Sequence, residues 1–92
     1  MMNGPKTTFD FGDGRGAVPA HQHPNGGGWV ADSANVAATA WVGPSATVGN
    51  FAKVGNSATV GDYAKVYISA KVGYYAKVGD DAVVGNDAKV DA

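Results

Sequence analysis

The sequence of 92 residues contains no cysteine and no leucine. Without cysteine, neither a disulfide framework nor a thiolate metal site can form. Without leucine, and with 14 glycines, helices packed by large side chains are disfavoured. The formal net charge of -1 argues against a general electrostatic attraction to nucleic acid or to an anionic membrane.

Long apolar runs are also missing. None approaches the roughly 20 residues that span a bilayer, and residues 1–14 have no apolar core of signal-peptide length. We therefore expect a chain that is not exported by a cleaved signal, that contacts no membrane, and that is cytoplasmic or associated with a virion. A single domain of this length has a small core, so repeat stacking or oligomerisation is expected to add stability.

From Gly28 to Ala92 the sequence repeats every six residues. Valine occurs at eleven successive hexad positions, from Val30 to Val90, and alanine precedes it by two residues in every hexad after the first. A period of six matches neither an α-helix nor a heptad. Alternate residues of a strand face one way, so Ala and Val are expected in a core and the residue between them in solvent. The following Gly-x-x supplies turn residues that tolerate positive φ.

Three hexads are expected to close a triangular coil of 18 residues, with coils stacked about 4.8 Å apart. The units resemble the hexapeptide repeat of left-handed parallel β-helices, and the left hand is what this resemblance implies. Residues 28–92 are predicted to form an all-β, single-domain, triangular left-handed parallel β-helix (a hexapeptide solenoid) of about three and a half coils. Residues 1–27 are predicted to be an irregular cap, in which Phe9, Phe11 and Val18 join Trp29 over the first coil.

Hexapeptide β-helices resemble, above all, acyltransferases and γ-class carbonic anhydrases, which implies trimers with the active site between subunits. The former use a histidine base and the latter three zinc-bound histidines. Here the two histidines precede the repeat, and from Gly43 to Gly85 only Tyr67, followed by Ile68, replaces the glycine after the hexad valine, without adding length. We therefore assign no catalytic residue and expect no cofactor. A minimal enzyme of either kind is kept only as an alternative, because a fold does not establish a function.

The segment before the repeat has the composition of an anion site. Glycine N–H groups and nearby basic side chains can hold a phosphate or a nucleotide between subunits, with Lys6 adjoining. The predicted ligand-binding residues are Arg15, His21, His23, Asn25, Gly26 and Gly27. Two residues apart in an extended segment, His21 and His23 would point the same way and could share a metal with Asp10 or Asp13. The alternative is that they hydrogen-bond neighbouring loop backbone and fix the cap.

Large side chains that cannot fit a core of Val and Ala suggest contact with another chain. The predicted interface residues are Trp41, Phe51, Tyr63, Tyr67, Ile68, Tyr74 and Tyr75. The uncapped end at Ala92 is likewise expected to meet another chain or a host particle. The leading hypothesis is a non-enzymatic structural or interaction protein that forms homo-oligomers, with a trimer favoured, alone or in a larger assembly. Short hexapeptide helices with an irregular N-terminal segment resemble phage accessory proteins of capsid or tail.

A ladder of like charges is predicted on one face of the solenoid, where Lys53, Lys71 and Lys89 stack at the strand spacing. One interpretation is that these lysines are solvated and cover apolar surface with their stems. The other is a basic stripe for an acidic partner, such as the corner with Asp62, Asp80 and Asp81 in a second copy. Nucleic acid is disfavoured as that partner by the near-zero net charge.

Overall fold

The computed structural model describes residues 7–12 and 14–91; Lys6, Asp13 and Ala92, named above, lie outside the described residues. All regular structure in this part of the chain is β, and none of it is a helix that could cross a membrane. The strands are β1 (Thr8–Asp10), β2 (Ala17–Gln22), β3 (Trp29–Ala31), β4 (Asn35–Val36), β5 (Trp41–Val42), β6 (Thr47–Val48), β7 (Lys53–Val54), β8 (Thr59–Val60), β9 (Lys65–Val66), β10 (Lys71–Val72), β11 (Lys77–Val78), β12 (Val83–Val84) and β13 (Lys89–Val90).

Strands β3 to β13 wind into a parallel β-helix with three faces. The first face contains β3, β6, β9 and β12, the second contains β4, β7, β10 and β13, and the third contains β5, β8 and β11. Neighbours within each of these sets are parallel and in register one coil apart, as in Lys53 beside Lys71. The predicted all-β, single-domain parallel β-helix with an N-terminal cap is confirmed. Its left hand remains what the resemblance implies.

The core consists of the alanine and valine of each hexad. Ala46 and Val48 are fully buried, whereas Thr47 between them is partly exposed on the first face. This alternation is the one predicted from strand geometry. In the last strand, Val90 is only partly buried, because β13 has a neighbour on one side only.

The corners are two-residue turns. In each, the N–H of the alanine after the turn donates to the carbonyl oxygen of the residue before the turn. Ala52 N–H donates to Gly49 O at 3.3 Å, for example. Positive φ was expected at the Gly-x-x positions in general, and from Phe51 onward it falls on the last x. Ser33, Thr39 and Ser45, at the same position in the first coil, do not have it. The non-glycine residues with φ from 59° to 63° are Phe51, Ser57, Tyr63, Ser69, Tyr75, Asp81 and Asp87. The φ signs match a type II turn, whose third position ordinarily favours Gly or Asn.

Polar side chains link successive coils at the corners. Asp62 Oδ1 accepts the Ser45 N–H at 3.1 Å, and Asp80 Oδ1 accepts the Asp62 N–H at 2.9 Å. A Cβ atom at Gly61 would lie 2.5 Å from Asp80 Oδ1. The glycine before a corner therefore leaves room for the carboxylate of the next coil.

The N-terminal segment caps the solenoid on two faces. Strands β1 and β2 form an antiparallel hairpin, and β2 pairs antiparallel with β3 on the first face. Phe9 stacks on Trp29 at a centroid distance of 5.1 Å, and Phe11 is buried. The predicted cluster of Phe9, Phe11, Val18 and Trp29 is confirmed. On the second face, β4 is the edge strand, because no strand of the cap pairs with it.

Candidate functional site

The loop after β2 lies along β5 and caps the third face. Val42 N–H donates to Asn25 O at 3.0 Å, and Gly28 N–H donates to Val42 O at 3.1 Å. Gly26 has φ of +111°, and a Cβ atom there would lie 2.1 Å from Val42 O. Gly27 N–H donates to His23 O at 2.9 Å. The glycines predicted to cradle an anion therefore let the loop approach the first coil closely.

His23 is the most deeply buried polar side chain of the cap, at 4% exposure. Its Nε2 lies 2.9 Å from Ala40 O, and because a carbonyl oxygen only accepts, this nitrogen carries the proton. Asn25 Nδ2 donates to the same oxygen at 3.1 Å. His23 thus hydrogen-bonds the first coil, which is the backbone-fixing role considered as the alternative to a metal ligand.

His21 occupies a different environment. Its Nδ1 lies 2.6 Å from Asp32 Oδ1, with about half of each side chain exposed (50% and 54%). His21 and His23, which the sequence predicts to point the same way, have different partners, because His23 is buried against Ala40 O whereas His21 is exposed beside Asp32. Within residues 7–12 and 14–91, no group of three or more His, Asp, Glu or Cys residues is placed to hold a metal ion.

Arg15 lies apart from these residues along the chain, at an exposed position in the loop between β1 and β2, and it interacts within the molecule. The amide of Asn25 and the N–H groups of Gly27 and Gly28 have intramolecular partners. No buried side-chain nitrogen or oxygen in the described part of the chain lacks a hydrogen bond. The polar groups of this segment are therefore largely engaged in holding the cap.

Replacing His23 by alanine is expected to lower the free energy of unfolding by about 1–3 kcal/mol, since a buried hydrogen bond and its packing are lost. His21→Ala is the matched control and should change it by less than about 1 kcal/mol, as for an exposed ion pair. Urea denaturation of the two variants measures both values. A larger loss for His21→Ala would contradict the assignment of His23 as the residue that fixes the cap.

The predicted interface residues lie outward but are spread over the solenoid. Trp41 is on the third face, and Phe51 and Ile68 are at the corner between the first and second faces. Tyr74 and Tyr75 are at the corner between the second and third faces, and Tyr63 is at the corner between the third and first. Most are well exposed, from 36% at Trp41 to 70% at Tyr75; Ile68 is half-exposed, as is Tyr67 at the end of the first face. They do not form one patch.

A groove on the second face combines the lysine ladder with an aromatic wall. Its volume is about 370 Å³, and its lining includes Lys53, Lys71, Asn56 and Tyr74. The Tyr74 ring lies over Gly55, where a Cβ atom would be 2.4 Å from Cδ1. The sequence predicts the lysines as one ladder and Tyr74 as an interface residue one coil beyond position 56, and the structure brings them together in one groove.

Comparisons with known proteins add no relatives. No family model matches the chain, no curated protein matches it, and no solved structure matches it. The resemblance to hexapeptide proteins therefore concerns the repeat and the fold, and function has to be argued from the surface of this molecule.

Proposed function

We propose that this chain is a non-enzymatic structural protein that self-associates through outward residues of its coils. A trimer is the stoichiometry that the resemblance favours, and the same surfaces suit docking into a larger assembly. The proposal rests on one observation, which is the position of three aromatic residues in the corners.

Phe51, Tyr63 and Tyr75 have φ of 60°, 61° and 61°. For a residue with a Cβ atom, the left-handed region is less favourable by roughly 1–2 kcal/mol. The coil does not require positive φ at this corner position, since Ser33, Thr39 and Ser45 hold it in the first coil with negative φ. Where φ is positive, an aromatic residue is not required either, since Ser57 and Ser69 have it too. Asparagine would suit this backbone better.

Burial within the monomer does not compensate for this choice. Phe51 is 56% exposed, Tyr63 is 62% exposed and Tyr75 is 70% exposed. Backbone strain kept at exposed positions is grounds for a functional hypothesis, and exposed aromatic side chains are the type enriched at protein interfaces. Contact with another chain would bury these rings and supply the stabilisation that the monomer lacks.

The test is a triple variant, Phe51→Asn, Tyr63→Asn and Tyr75→Asn. We expect an assembly for the natural chain in light scattering at tens of micromolar, and a monomer for the variant. At dilutions where the natural chain is also monomeric, the variant should melt at the same or a higher temperature, because asparagine tolerates the left-handed region. The control, Ser57→Asn with Ser69→Asn, makes the same backbone change without removing a ring and should leave the assembly intact. A monomeric natural chain, or an unchanged mass for the triple variant, would refute the proposal.

A further inference from the structure

One corner of the solenoid is acidic and convex. The acidic corner, defined as Asp62, Tyr63, Asp80 and Asp81, joins the third face to the first. Its members stack in successive coils, since Asp62 N–H donates to Asp80 Oδ1 and Asp81 N–H donates to Asp62 O at 2.9 Å. Asp80 and Asp81 are exposed, and the Tyr63 ring projects with 62% of its surface in solvent.

The opposite side is basic and concave. The groove defined above runs along the second face, where Lys53, Lys71 and Lys89 are paired in register. The fourth outward residue of this face is Asn35, so the face carries no carboxylate. None of these lysines forms an ion pair within the described ranges. Like charges stacked on neighbouring strands are destabilising, and an acidic partner would relieve that repulsion.

From this we infer that the acidic corner of a second copy of this chain docks into the lysine groove, with Asp81 facing the lysines and Tyr63 packing beside Tyr74. This inference rests on the proposed self-association and names the surfaces involved. Two features select a second copy as the occupant. The charges are complementary, and the Asp62–Asp80 pair repeats with the same rise of one coil as the lysine ladder, about 4.8 Å, so carboxylates and ammonium groups can stay in register along the contact.

Nucleic acid fits this face less well. Double-stranded DNA carries one charge per roughly 1.7 Å of axis, which does not match the coil rise. The groove is also short, since three lysines span two coil steps. The lysines are spaced along the axis by one coil rise, and carboxylates on a second β-helix have the same spacing.

The contact also determines how copies are arranged. In a triangular solenoid the acidic corner lies opposite the second face, because it joins the other two faces. Because the two patches lie on opposite sides, each copy is related to the next by a translation perpendicular to the solenoid axis. Such a heterologous contact does not close into a ring. The predicted product is a row of parallel solenoids.

Charge reversal in complementary pairs tests the inference. Lys71→Glu and Asp81→Lys are each expected to raise the apparent dissociation constant at least about tenfold, which corresponds to 1.4 kcal/mol, because an attractive pair becomes repulsive. Asp81 is chosen because its side chain forms no hydrogen bond in the described part of the chain. An equimolar mixture of the two variants should assemble again. In the mixture, a groove with Lys71→Glu can meet a corner with Asp81→Lys, and an unaltered groove can meet an unaltered corner.

Matched controls lie at equivalent positions elsewhere on the solenoid. Lys77→Glu changes the same hexad position on the third face, and Asp87→Lys changes the same corner position, with φ of 60°, at another corner. Neither control variant should alter the mass of the assembly. Raising the salt from about 0.05 M to about 0.5 M should weaken association of the natural chain, because the Debye length falls. Circular dichroism of each variant verifies that the solenoid is folded.

The outcomes separate this inference from the proposed function. A natural chain that is monomeric in every buffer would overturn both. An oligomer whose mass is unaffected by Lys71→Glu and Asp81→Lys, or a closed trimer insensitive to both, would overturn the groove contact and leave self-association standing. Loss of association in the single variants with no recovery in their mixture would also count against the pairing. Recovery in the mixture alone identifies the two surfaces as partners.

Discussion

Replacing Val60 by aspartate is expected to abolish the fold. Val60 is completely buried in a core made only of valine and alanine side chains, which offers no hydrogen-bond donor. Substitution loses about 1.5–3 kcal/mol of apolar burial and adds a desolvation penalty of several kcal/mol for a carboxylate. A small domain is stabilised by only about 5–15 kcal/mol in total. We therefore expect a largely unfolded chain by circular dichroism at room temperature.

Val83→Asp provides the control for this prediction. Val83 is also a strand valine, but it lies between the inward positions of its hexad and is 61% exposed on the first face. The same substitution there should change the free energy of unfolding by less than about 1 kcal/mol. Equal effects at the two positions would mean that the alternation of inward and outward residues has been assigned to the wrong face.

The solenoid was predictable because its repeat is physically unambiguous. A valine every six residues fixes which side of each strand is buried, and 18 residues per coil fixes which residues stack. The pairing of Lys53 with Lys71 and of Thr47 with Lys65 follows directly. A one-residue slip would turn every core side chain outward, so the alternation of Ala and Val excludes that register.

The corners were less predictable because local propensity and the requirements of the coil disagree there. Propensity favours positive φ at glycine, asparagine or aspartate. From the second coil onward the structure places it on the last residue of each corner, which is aspartate at Asp81 and Asp87 but aromatic at Phe51, Tyr63 and Tyr75. At the aromatic corners the stacking of coils therefore overrides the preference of residue types for positive φ. The hexad pattern alone does not predict which corner residue has it.

The histidines show a second limit of sequence reasoning. Their spacing predicts a shared side, yet His23 is buried against Ala40 O and His21 lies beside Asp32. His23 leads into the loop at residues 24–28, in which Gly26 and Gly28 approach Val42 too closely for a side chain. That approach depends on the distance between the loop and the first coil, which no pattern within the loop encodes.

The same close approach gives the second prediction of large effect, at Gly26. A Cβ atom there would lie 2.1 Å from Val42 O and 2.8 Å from Val42 C, and neither backbone atom can move without displacing β5. We expect Gly26→Ala to separate the loop from the third face, breaking the hydrogen bonds between Asn25 and Val42 and between Gly28 and Val42. At about 1 kcal/mol for each of the two bonds, with about 1–2 kcal/mol added for positive φ, the expected loss is about 3–4 kcal/mol.

Gly27→Ala isolates the steric part of this effect. Gly27 also has positive φ, at +87°, but a Cβ atom there meets nothing within 4 Å. The control should therefore lose only the conformational contribution of about 1–2 kcal/mol. Urea denaturation gives both values, and hydrogen exchange at the Val42 amide should accelerate in Gly26→Ala alone. Equal losses of unfolding free energy in the two variants, with the Val42 amide still protected, would contradict this prediction. They would show that the cap does not depend on the close approach of Gly26 to Val42.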